Sequence, residues 1–311
     1  MYKRQDLHPP GPRPQAPGRH RMTHRRWFTP WLLAGPAIVW LAVFNLWPAV
    51  NTVILSFTNA KPLGGGQFTG LENYGRLLDD EQLADALLNS IVFMLVCLPL
   101  LTVLPLLLAL LVQRRIPGIT FFRTAFYTPV IASAVVVALI WGWVLDDRGL
   151  VNGVLQQSGL TDSPVSFLTG RWLLLFSAIA LTVWKGLGYY MVIYLSALAN
   201  VPPELHEAAA VDGAGPVSRF RHVTLPGVRP TMVLISALIS VSSLRVFSEL
   251  YVLSHGQGGP GGRDMSVVML IQMYSRGFNG HLGYASALSL LLFVVTLGPM
   301  LFLMRLNRKA A

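Results

Sequence analysis

Three ionisable residues stand inside otherwise apolar blocks: Lys185 within 172–200, and Arg245 with Glu249 within 231–254. A charge at membrane depth is expensive, so such side chains face a bundle interior or a watery cavity and are candidates to line a path for a polar solute. Arg245 and Glu249 are four apart, one helical turn, a spacing that suits mutual neutralisation; direct contact with a solute is the other reading. Phe247 and Tyr251 are also four apart on a neighbouring face, where aromatic rings could stack on a sugar, although membrane helices use rings for packing as well. Lys185 can meet an anionic group such as a phosphate, snorkel, or pair with an acid on another subunit.

Other chemistries find no support in the residue pattern. The stretch GQGGPGG at 256–262 lacks the lysine and Ser/Thr of a phosphate-binding G-x-x-x-x-G-K-[ST] loop and reads as a plain loop. His206 and His222 have no third ligand at metal spacing. The single cysteine, Cys97, cannot form an internal disulfide. No Ser/His/Asp or paired-carboxylate arrangement stands out, so the chain is not read as an enzyme.

The elements that must position the charged residues follow from composition. Of 311 residues, 53% are hydrophobic and 12% charged, and mean hydropathy is +0.54, against roughly a quarter charged in a soluble domain. No Asp, Glu, Lys or Arg occurs between Arg26 and Lys61, nor within 86–113, 124–145 or 282–304. Each block exceeds the roughly 18 to 20 residues that cross the hydrocarbon layer as a helix. With the two blocks that carry Lys185 and the Arg245–Glu249 pair, the expectation is an all-α polytopic protein with six transmembrane helices, near 31–57, 89–113, 122–145, 172–199, 231–254 and 282–305. The apolar stretch 265–275 is too short to cross and is left outside the bilayer. Pro99, Pro105 and Pro129 are expected to kink their spans.

Six spans put both termini on one side. With the termini inside, the cytoplasmic segments hold sixteen Lys and Arg against six outside, and most acids fall outside. Basic residues are retained in the cytoplasm, so the expected location is the cell membrane, multi-pass, with both termini cytoplasmic. The net charge of +10 is then explained by topology and by anionic lipid, not by nucleic acid. Residues 1–26, rich in Pro, Arg and His, read as a disordered basic cytoplasmic tail ahead of a transmembrane domain at 27–311.

The polar connection 200–230 carries strong local order. Pro202 and Pro203 stop the fourth span and suit the start of a new helix, 204–211, with Glu204 in its first turn and Gly213 as its stop. Pro216 and Ser218 open a second short helix expected to end before Leu225 and Pro226. Such a helix-turn-helix, lined by Ala208, Ala209, Ala210, Gly213 and Ala214, is too short to form a core, and its small side chains permit close approach by another body.

At these residues EAAAVDGAGPVSRFRHVTLP (207–226) resembles the cytoplasmic loop motif of permease subunits in binding-protein-dependent ABC importers, with Val223 where isoleucine is commoner. WKGLGYYMVIYLSALANVPPELH (184–206), FTGLENYGRLL (68–78), LRVFSELYVLSHGQGGPGG (244–262) and GYASALS (283–289) are similar to the carbohydrate-importer branch of bacterial inner membranes. The resemblance implies that the loop docks in a cleft of a cytoplasmic ATPase. Glu207 is similar to the family's charged contact, Ala208, Ala209 and Gly213 keep the surface slim, Asp212, Arg219 and Phe220 hold the loop's own fold, and Leu225 and Pro226 close it. It further implies two ATPase subunits that bind the ATP and Mg, a second permease subunit, an extracytoplasmic solute-binding protein, and no cofactor in this chain. The solute implied is a sugar or related polyol. Rival readings are an ion-gradient-driven secondary transporter, which predicts inverted repeats that the sequence does not display, and a membrane enzyme or scaffold that uses the loop only for recruitment.

Overall fold

The computed structural model describes residues 29–113, 117–276 and 280–308. The expected tail at 1–26 lies outside them. Helix α1 (Thr29–Leu41) passes through a π-turn at Ala42–Leu46 into α2 (Trp47–Leu55). Residues up to Val50 form one compact unit, and those from Asn51 onward another. In the first unit the described side chains are almost all exposed, Trp31, Trp40 and Trp47 among them.

In the second unit, the short amphipathic helix α3 (Glu72–Asp79) precedes α4 (Glu81–Val112), whose first turn is capped by the Asp80 carboxylate accepting from the Gln82 and Leu83 amides at 2.9 and 3.1 Å. Despite Pro99 and Pro105, α4 is one unbroken helix, as bundled membrane helices tolerate. It packs against α8 (Arg171–Ala199) and α11 (Leu225–Leu244), and between them Phe93, Cys97, Leu174, Leu175, Ala178, Met191, Tyr194, Ile235 and Ile239 are buried. Apolar burial drives little in lipid, so close approach and polar contacts carry the packing. Thr102 and Ser236 meet at 3.2 Å between α4 and α11. At Gly188 of α8, an added Cβ would run into the Phe126 carbonyl of α5 (Ile119–Ile131).

The expected third span is not one helix. It breaks at Ala132 and Ser133, both extended, between α5 and α6 (Ala134–Leu145), with a 100° bend. Pro129 withholds a donor from the last turn of α5, and Val135–Val137 on the far side disfavours helix continuation. The next helix is α7 (Leu150–Gln157), and after α8 come α9 (Pro203–Val211) and α10 (Pro216–Arg219). The second loop helix does not end before Leu225 and Pro226 as expected. A π-turn at Phe220–Thr224 carries α10 into α11, its wider register accommodating a proline without an amide donor.

The expected fifth span is likewise interrupted: α11 ends at Leu244 and α12 (Ser248–Leu253) resumes after a break. Helix α13 (Val267–Ser275), nine residues long, cannot cross a bilayer; it packs on α14 (Leu282–Arg308) and α4. Among the described residues five helical stretches are long and apolar enough to cross a membrane, or six if the bent pair at 119–157 is one span. Several residues that the charge count places on one face meet there. Asp85 pairs with Arg171 at 2.8 Å and Arg263 at 3.1 Å, Tyr284 donates to Asp80, and Arg76 lies 4.5 Å from the Tyr284 ring centre.

Candidate functional site

The break after Leu244 has a local cause. The Ser240 hydroxyl donates to the Ser236 carbonyl at 2.7 Å and the Ser242 hydroxyl to the Ile239 carbonyl at 3.1 Å, contacts that bend helices. Arg245 then leaves helical geometry (φ −105°, ψ 18°) and Phe247 follows (φ −142°, ψ −61°). With the helix broken, the one-turn relation of Arg245 to Glu249 is lost. The expected ion pair does not form: among the described residues the only ion pairs are those of Asp85.

Arg245, Phe247 and Glu249 instead share with Lys185 the wall of one cavity of about 420 Å³. Arg245 also borders a second, of about 430 Å³, beside Ser289 and Thr296. Tyr251 does not reach either wall; it stacks behind Phe247, ring centres 5.0 Å apart and 27° from parallel, and holds that ring in place. The sequence reading missed Tyr189 and Tyr190 in the same wall, packed edge to face at 5.1 Å. Tyr189 is one helical turn from Lys185, so periodicity alone could have found it.

The Gly-rich segment is a loop, as expected, and lines a third cavity of about 720 Å³ with Asp146, Asp147, His255 and Gln257. His255 holds a left-handed conformation (φ 53°), uncommon for a residue with a side chain. Beneath this loop Asp264 is 1% exposed, and no described donor reaches either carboxylate oxygen. Burial outweighs the nearby Arg171 charge and pushes its pKa up to about 6.

The loop at 200–230 is built as its residues dictate. Pro203 is the first residue of α9, and the helix closes in a Schellman motif, the Ala214 amide donating to the Ala209 carbonyl at 2.8 Å and the Gly213 amide to the Ala210 carbonyl at 3.1 Å. Gly213 supplies the left-handed residue (φ 79°) that this motif needs. Glu207, Ala208, Asp212 and Pro226 are exposed and Ala209 half-buried. Phe220 and Leu225 pack against the main core, which fits a structural role for both. Asp212 and Arg219 form no ion pair with each other, and the Arg219 Nε is buried without a hydrogen-bond partner among the described residues. The sequence reading overlooked the apolar groups this loop presents: Val211 is 88% exposed and Val217 79%.

Comparison with known proteins matches this architecture. Residues 80–311 match the family described as binding-protein-dependent transport system inner membrane component. The lactose transport system permease protein LacF of Rhizobium radiobacter is 30% identical over 285 residues, covering 90% of this chain and 94% of its own. The arabinooligosaccharides transport system permease protein AraP of Halalkalibacterium halodurans is 30% identical over 276 residues, covering 86% and 85%. A solved bacterial alginate ABC transporter, in complex with an alginate pentasaccharide-bound periplasmic protein, has a chain similar at TM-score 0.77 and 26% identity, covering 90% of this chain and 94% of that one. A polytopic helical bundle, an exposed helix-turn-helix loop and a family match across three quarters of the length lead to one assignment: the chain belongs to the inner membrane components of binding-protein-dependent transport systems, the permease subunits of ABC importers.

Proposed function

We propose that this chain forms half of the pathway by which an importer moves a sugar or related polyol inward, and that its energy comes from separate ATPase subunits. The observation that carries the reading is the wall at the helix break, where charged, hydroxyl and aromatic groups from α8, the end of α11, the break itself and α12 line one cavity. Hydroxyls and an arginine suit the hydrogen-bonding rim of a sugar, and the Phe247 ring suits its apolar face. The relatives' names point the same way, to lactose, arabinooligosaccharides and alginate.

Residues 27–311 make the permease domain, with both termini cytoplasmic, and 200–230 is its docking loop. Glu207 with the slim face of Ala208, Ala209 and Gly213 enters a cleft of the ATPase, and exposed Val211 and Val217 give that contact apolar area. Because α10 runs through the π-turn into α11, a push on the loop is delivered along a stiff element toward the break at Arg245. ATP and Mg are held by the ATPases; this chain carries no cofactor and performs no chemical step. A second permease subunit completes the pathway, and an extracytoplasmic binding protein delivers the solute.

The test is affinity purification of the chain from its native membrane in mild detergent, comparing wild type with Glu207→Lys by mass spectrometry. An ATPase retained by wild type and lost from the variant is the expected result. Retention by both would remove Glu207 from the docking contact, and absence from both, after crosslinking, would overturn the importer mechanism.

A further inference from the structure

The walls of the two cavities that meet at Arg245 hold Lys185, Arg245 and Glu249 as their charged groups, two cations against one carboxylate. In the second cavity Arg245 is the sole charge, with Ser289 and Thr296 as its polar company. Neither cation lies within ion-pair distance of any carboxylate among the described residues. The one-turn pairing that would have neutralised Arg245 is removed by the helix break, and Arg245 borders both spaces. The remaining polar wall groups, among them Thr182, Ser242, Ser248 and Tyr189, are neutral.

An excess positive charge in a site walled by apolar helices is unfavourable in itself and is offset best by an anion that displaces water. A guanidinium offers a planar fork that a carboxylate or phosphate fills with two hydrogen bonds, and an ammonium adds a point charge. A neutral sugar can accept hydrogen bonds from both but leaves their charge uncompensated. We propose that the solute is an anionic saccharide, a sugar carrying a carboxylate or phosphate group that Arg245 and Lys185 hold together. This rests on the sugar-pathway reading above and narrows it.

The test uses the complete complex, purified through this chain into lipid nanodiscs without added binding protein. Three probes are titrated: trigalacturonate, its fully methyl-esterified neutral form, and glucose 6-phosphate. The acid is expected to bind at least about tenfold tighter than the ester, a preference weakened by salt. Lys185→Gln and Arg245→Gln should each reduce that ratio by about tenfold, and Arg245→Lys should restore part of it. Retention of the ATPase by each variant confirms its assembly. Binding of glucose 6-phosphate with the same dependence on Arg245, in place of the uronate, would identify phosphate as the anionic group. An ester bound as tightly as the acid, or a ratio indifferent to both substitutions, overturns the anionic preference and leaves the sugar reading standing. If none of the three binds, the sugar reading falls and this inference with it.

Discussion

Asp264 holds a buried carboxyl group that no donor among the described residues reaches. Its oxygens lie under the Gly-rich loop, where a Cβ on Gly259 would collide with one of them, so the glycine is what makes room for the acid. In the folded chain it keeps its proton until about pH 6, against an ordinary value of 3.8. Between those values the folded state binds more protons than the unfolded one, so this group's contribution is most favourable at low pH and is lost as pH rises through 6. Asp264→Asn should therefore leave stability near pH 4 unchanged and raise it at pH 7.5 by about 1–3 kcal/mol. Thermal melts of the purified complex at the two pH values check this; equal melting of variant and wild type at pH 7.5 would mean the carboxylate is compensated in the assembly. In the sequence Asp264 was one outer-face acid among several, because burial is a property of what folds over a residue. Lys185, Arg245 and Glu249, by contrast, stood out by charge inside an apolar block, and the structure brings them to one cavity wall, while the expected Arg245–Glu249 pair does not form among the described residues.

Two glycines show how elements set different requirements. Gly213 has open space around it and is needed for its left-handed backbone, so Gly213→Ala should weaken the end of α9 by about 1 kcal/mol. Gly188 has an ordinary helical backbone and no space, because α5 crosses α8 with the Phe126 carbonyl against it. Gly188→Ala must push two helices apart and should destabilise the chain by about 1–3 kcal/mol. Chemical denaturation in detergent should rank the two variants in that order, and a reversed order would mean that α5 moves freely against α8. The Schellman stop at Gly213 was readable because one residue type serves one local conformation. The tight crossing at Gly188 was not, since nothing in the flanking sequence says which helix arrives there. At Ala132, Pro129 signalled a kink but not its 100° size, and the break at Arg245 escaped for a related reason: hydropathy over twenty residues sees an unbroken apolar block whether or not its hydrogen-bond ladder is interrupted.

As a whole molecule the chain has helices long and apolar enough to span a bilayer and a cavity at a helix break, and its sequence holds no nucleotide-binding motif. Uptake by cells that hold the intact importer should stop when ATP is depleted and persist when the ion gradient is collapsed at constant ATP; the reverse dependence would restore the secondary-transport reading. Composition, the charge-free blocks and the asymmetry of Lys and Arg determined by themselves that this is a polytopic helical membrane protein, because a bilayer imposes a length and polarity rule on every span independently of its neighbours. The motif at 207–226 pointed to the family by resemblance, and the family match over residues 80–311 bears that out. What only the tertiary structure decided is which groups meet. It separated Arg245 from Glu249, brought Lys185 and Tyr189 beside them, and joined Asp85 to Arg171 and Arg263 from distant segments. Those contacts arise where backbone hydrogen bonds are interrupted and helices cross, and both depend on packing between segments far apart in the chain.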